Sequence, residues 1–166
     1  MPGNGGSSLV TQQTTATPVS PVIVRTDVVP AIAVRVTGAL LALAIATVHV
    51  ADQGGITELA TPSWIGWGYR AIEVGAVLTA LLLVLPRPAW LIRNWMGWAA
   101  GVLLGAGPLL AYLVSRTVGL PGDHGDVGNW GYWVGTVSLF IEAALIVLSL
   151  TMLLSCVARR GQPWPR

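Results

Sequence analysis

The chain has 166 residues, of which 54% are hydrophobic and only 10% charged, and its mean hydropathy is +0.69. A soluble domain carries about a quarter charged residues, so this composition excludes an ordinary water-soluble globule and points to a polytopic membrane protein. The nine basic residues are all Arg, set against seven acids. They flank apolar runs, which argues for membrane orientation and against nucleic acid as a partner. One cysteine, Cys156, excludes an internal disulfide and a multi-cysteine metal centre.

Residues 1–30 are rich in Gly, Ser, Thr, Pro and Gln without a helical period, and they read as a disordered cytoplasmic tail. Such a polar stretch before the first apolar core argues against a cleaved signal peptide. A membrane domain over 31–158 follows, with four apolar segments at about 31–51, 65–85, 90–114 and 130–157. Each is near the ~20 residues that a spanning helix needs. Residues 159–166 read as a second cytoplasmic tail. Short polar connections make neighbouring helices antiparallel. The fold class expected is all-α, a four-transmembrane-helix antiparallel bundle.

Orientation follows from the arginines. Arg25, Arg35, Arg87, Arg93, Arg159, Arg160 and Arg166 fall on one side, and only Arg70 and Arg116 on the other. That bias places both termini in the cytoplasm of a multi-pass membrane protein, with the first and third loops outside. Trp64, Trp67, Trp130 and Trp133 mark an outer aromatic belt, and Trp90, Trp95 and Trp98 an inner one.

Helices meet in lipid through small residues. The third segment carries Gly97, Gly101 and Gly105 at spacings of four, with Pro108 beyond them. The first carries Gly38, Ala42 and Ala46, and the same face extends to His49 and Asp52. The second groups Tyr69, Glu73, Ala76 and Ala80. The fourth aligns Gly131, Gly135, Ser138, Glu142, Leu145 and Ser149. His49, Glu73 and Glu142 thus lie on inward faces of three different helices. At ~1.5 Å per residue, Glu142 lies roughly 18 Å below Trp130 and Glu73 roughly 9 Å below Trp67. Arg116 and Tyr112 close the third helix at the outer end. Glu142 is the sole charge in its segment, and an intramembrane carboxyl group marks a functional site by default. Arg116, Tyr112 and Ser138 are the partners expected to neutralise it.

The third loop runs Ser115-Arg116-Thr117-Val118-Gly119-Leu120-Pro121-Gly122 and continues through Asp123, His124 and Asp126 to Gly128-Asn129-Trp130, ahead of Ser138-Leu139-Phe140-Ile141-Glu142. This pattern resembles small four-helix membrane proteins of high-GC Gram-positive bacteria, in which an S-R-T-x-G-L-P-G loop precedes an acidic stretch, a Trp and a Glu-bearing helix. The resemblance covers roughly the last third of the chain. It implies that Arg116, Pro121, Trp130 and Glu142 belong to one feature, and it carries no activity over.

These residues predict an outward-facing polar pocket lined by His49, Asp52, Glu73, Tyr112, Arg116 and Glu142, roofed by a loop bearing Asp123, His124 and Asp126. The first reading is a non-enzymatic membrane protein, either an accessory or assembly subunit or a small-ligand-binding protein. Its partners are the lipid bilayer and other membrane subunits or further copies of the chain. The alternative is a metal-binding or proton-coupled protein. His49, Asp52, Asp123, His124 and Asp126 offer mixed N/O ligands for a borderline divalent metal such as Zn²⁺, and descending carboxyl groups suit a proton path. A membrane enzyme ranks third, since the chain has neither a G-x-S-x-G elbow nor a P-loop.

Overall fold

The computed structural model describes residues 28–60, 62–85 and 95–160. The expectations for Arg25 and the N-terminal tail to residue 27, for Arg87, Trp90 and Arg93, and for residues 161–166 lie outside the described residues. Among the described residues the chain forms four helices: α1 (Val28–Asp52), α2 (Ser63–Val84), α3 (Met96–Thr117) and α4 (Trp133–Arg160). They contain no strand beyond an isolated bridge between Leu120 and Asp123. Each helix holds a stretch of 22 to 24 residues long and apolar enough to cross a membrane. At ~1.5 Å per residue that is about 33–36 Å, against a hydrocarbon core of about 30 Å.

Local chemistry sets the ends. Leu85 caps α2 in an extended conformation, φ −65° and ψ 137°, because the proline at 86 drives its predecessor out of the helical region. Past the end of α3, the N–H groups of Val118 and Gly119 both donate to the Val114 carbonyl at 3.0 Å. Gly119 there takes φ +85°, a left-handed value that glycine adopts without a Cβ clash. The fourth helix starts at Trp133, later than the expected boundary near 130. Gly128 turns at φ +81°, and the Trp130 N–H donates back to the Gly128 carbonyl at 3.0 Å. Glu142 is therefore nine residues inside α4, about 14 Å along the helix from Trp133. At its other end α4 runs through Arg159 and Arg160, which the sequence placed in a tail.

The helices pack in a ring, α1 on α2, α2 on α3, α3 on α4 and α4 back on α1, with α1 and α3 touching across it. Buried positions are mostly small or polar: Ala39, Ala42, Ala76, Ala80, Thr79, Ser138 and Ser149. Large apolar side chains such as Leu40, Val77, Leu103, Phe140, Val147 and Leu154 are exposed. That is the reverse of a soluble domain and is what helix packing within lipid requires. An added Cβ at Gly105 would lie 2.8 Å from the Glu142 carbonyl oxygen and 2.7 Å from Ile146 Cγ1, and one at Gly101 would strike Ser149 Oγ. Those glycines therefore set the α3–α4 approach. Trp98 corrects an expectation. It is 2% exposed and belongs to the core, with its ring 3.0 Å from where a Cβ on Gly38 would stand. The missing side chain at Gly38 makes the slot that the indole fills.

Candidate functional site

A cavity of about 440 Å³, open on one side, lies among the C-terminal turns of α1 and α3 and the N-terminal turns of α2 and α4. Pockets that hold small molecules span about 300–1,000 Å³. Helix α1 contributes Val48, His49 and Asp52, and α2 contributes Trp64, Ile65, Gly68, Tyr69 and Ile72. From α3 come Pro108, Ala111, Tyr112, Ser115 and Arg116, and from α4 come Val134, Gly135, Ser138 and Glu142. Ala60 of the first loop and Leu120, Asp123, Asp126, Asn129 and Tyr132 of the long α3–α4 loop complete it. Gly135 is what lets α4 pass Tyr112, since any Cβ there would collide with the phenol ring.

At the floor, Glu142 is 1% exposed. Its Oε1 accepts from the Ser138 hydroxyl at 2.5 Å, and its Oε2 is buried with no hydrogen-bond partner among the described residues. His49 lies beside it, with Nε2 3.9 Å from Oε1, beyond hydrogen-bond range. The other ring nitrogen, Nδ1, is 2.9 Å from the Ile45 carbonyl oxygen. A carbonyl only accepts, so Nδ1 carries a hydrogen, and a neutral ring then turns its Nε2 lone pair toward Glu142. The imidazole packs on Tyr69 with centroids 5.3 Å apart.

Arg116 and Tyr112, expected beside Glu142, are committed elsewhere. The Arg116 guanidinium pairs with Asp126 at 2.6 Å and lies 4.7 Å from the Tyr112 ring centroid and 5.8 Å from that of Tyr132. The loop folds back to reach it because Leu120-Pro121-Gly122-Asp123 is a type II turn. Gly122 sits at φ +79°, the Asp123 N–H donates to the Leu120 carbonyl at 2.9 Å, and Pro-Gly is the residue pair this turn favours. Trp64 Nε1–H pins the turn to α2 by donating to the Pro121 carbonyl at 3.1 Å. Of the four residues grouped by the sequence resemblance, Arg116 and Glu142 line the cavity, while Pro121 and Trp130 touch lining residues, Pro121 through the Trp64 bond and Trp130 edge-on to Tyr112 with ring centroids 6.3 Å apart.

Near the mouth, Asp52 accepts from two phenols at 2.6 Å each, Tyr69 on Oδ2 and Tyr132 on Oδ1. The hydrogen bond to Asp52, with burial second, pushes the Tyr132 pKa up to about 12. Tyr132 was not singled out in the sequence, and it is 80 positions from Asp52. Its signal, a tyrosine between Trp130 and Trp133, reads as interface anchoring.

The structure brings His49, Asp52, Tyr112, Arg116 and Glu142 to one cavity, with Asp123 and Asp126 at its rim. Glu73 stands outside, accepting from Gln53 Nε2 and pairing with Arg70, both at 2.6 Å. Arg70 also donates to the Glu58 carbonyl, which ties the first loop to α2. His124 packs over Gly119, its Cδ2 2.7 Å from where a Cβ would stand. Among the described residues no three His, Cys, Asp or Glu side chains come together to hold a metal ion, so the five-residue metal set does not assemble. Asp52 is taken by two tyrosines and Asp126 by Arg116. The chain was compared with family models, curated proteins and solved structures, and it matches none of them.

Proposed function

We propose that this chain is a multi-pass integral membrane protein that binds a small molecule, without transforming it, in a cavity open to the outer aqueous side. The single observation that carries the reading is a roughly 440 Å³ cavity floored by a buried carboxyl group with an unpartnered oxygen. A purely structural role for Glu142 calls for both of its oxygens to be satisfied and for closed packing around it. The sidedness rests on the arginine count, which supports cytoplasmic termini, while the short connections support an antiparallel bundle and the sequence resemblance a bacterial plasma membrane. Catalysis finds less support. Ser138, Glu142 and His49 form a series with the acid in the middle, whereas an activated hydroxyl needs the imidazole beside it.

Binding is tested by the thermal stability of the purified protein against a panel of small cations, neutral molecules and anions. Gly68 lines the cavity and an added Cβ there meets nothing within 4 Å, so Gly68→Trp adds a bulky side chain to the lining at a position whose backbone accepts a Cβ. A ligand at ~100 times its Kd stabilises by about 2.7 kcal/mol. The expected result is at least one compound that raises the Tm of the wild type and leaves Gly68→Trp unmoved. A panel that never separates the two proteins contradicts the reading.

A further inference from the structure

We infer that the cavity selects an organic monocation with N–H donors, an ammonium or amidinium group on a small apolar body, and seats that group on Glu142. The inference rests on the binding reading above and adds the ligand's chemical class.

With Glu142 ionised and His49 neutral, the two open valences at the floor are both acceptors. The other lining residue with an unpartnered buried atom, Arg116 through its Nε, offers a donor whose charge Asp126 already meets. Glu142 Oε2 has no partner, and the Nε2 lone pair of a neutral His49 stands 3.9 Å from Oε1. A buried acceptor gains most from an incoming donor, and a charged donor gives the stronger bond. Four carboxyl groups line the cavity, Asp52, Asp123, Asp126 and Glu142, against one guanidinium, Arg116. That guanidinium is already paired with Asp126 and stacked over Tyr112, so an incoming anion would have to displace a carboxylate 2.6 Å away. Acidic groups at the rim draw cations toward the opening. The rings of Trp64, Tyr69, Tyr112 and Tyr132 along the walls suit an apolar or aromatic body and add cation–π attraction. An acid cluster alone would not define a ligand. The unpartnered oxygen of a side chain 1% exposed, on a residue that lines a cavity of molecular size, does.

The test uses three isosteric probes, benzamidine (cation), benzamide (neutral) and benzoate (anion), in equilibrium dialysis with the purified full-length protein. Benzamidine is expected to bind the wild type about tenfold or more tightly than the other two, and to lose about tenfold or more in Glu142→Gln. Glu58→Gln removes the same charge from the first loop, outside the cavity, and is expected to bind as the wild type does. Because the three probes are compared on the wild type, the result stands even where Glu142→Gln folds poorly. Preference for benzamide or benzoate, or benzamidine binding indifferent to Glu142→Gln, overturns the assignment. If another probe binds the wild type and not Gly68→Trp, the cation class falls while the pocket reading survives. If no probe binds, the cation class falls, and the wider panel against Gly68→Trp then decides the pocket reading separately.

Discussion

Asp52 and Glu142 are both carboxyl groups on the cavity wall, yet their surroundings give them opposite tasks. Asp52 accepts one phenol on each of its oxygens and ties α1 to α2 and to the start of α4. Glu142 has one hydroxyl donor and a free oxygen, so it retains capacity for something from outside the chain. The Tyr132 phenol reports on the first arrangement. Its pKa is raised from the ordinary 10.0 to about 12, so its contribution to stability is complete below the ordinary value and is lost as pH rises through about 12. An ultraviolet titration of the wild type minus that of Tyr132→Phe is expected to show one tyrosinate step centred near 12. A step near 10 would mean that the Asp52 bond is absent. Little of this was legible in advance. An aspartate one turn after a histidine reads most simply as a local pair, and no spacing rule connects Asp52 to a tyrosine 80 residues later.

At the scale of helices the sequence was far more transparent. The stripe Gly135, Ser138, Glu142, Leu145 and Ser149 is the buried face of α4, because a helix of period 3.6 brings those spacings to one side. Small residues there are read easily, since lipid offers no reason to hide a large apolar group. Trp98 escaped the same logic. Its place in the core depends on the cavity left by Gly38 of another helix, and pairing of a large residue with a distant glycine is a tertiary fact. The α3–α4 contact gives a sharp contrast between two glycines. Gly105→Leu forces a side chain against the α4 backbone and is expected to cost about 1–3 kcal/mol. Gly75→Ala meets only Leu104 Cδ1 at 3.8 Å, and it is expected to be neutral or to stabilise by up to ~1 kcal/mol through helix propensity. Unfolding midpoints in mixed micelles check both. Equal effects would remove the argument that close backbone approach holds α3 on α4.

For the whole molecule, the polar groups gather at one end of the ring while lipid-suited side chains cover its sides. The two loops at that end are fastened rather than loose: the first through Gln53 and Arg70 to Glu73 and the Glu58 carbonyl, the second through Arg116, Asp126 and the Trp64–Pro121 bond. The S-R-T-x-G-L-P-G wording makes sense in these terms, as an ion-pairing arginine, a left-handed glycine and a type II turn that bring the loop back over the cavity. The central claim, that this cavity is entered from the outer aqueous side down to Glu142, has a direct test. In a Cys156→Ser background, Ser138→Cys puts a thiol one helical turn from Glu142 on the cavity wall, and Ser149→Cys puts one in the closed contact with Gly101. Intact cells are treated with a membrane-impermeant cationic methanethiosulfonate, and labelling is read by mass spectrometry. The account predicts modification at 138 and none at 149. A thiol at 138 that stays unmodified, or reacts only once the cytoplasmic side is opened, would contradict it.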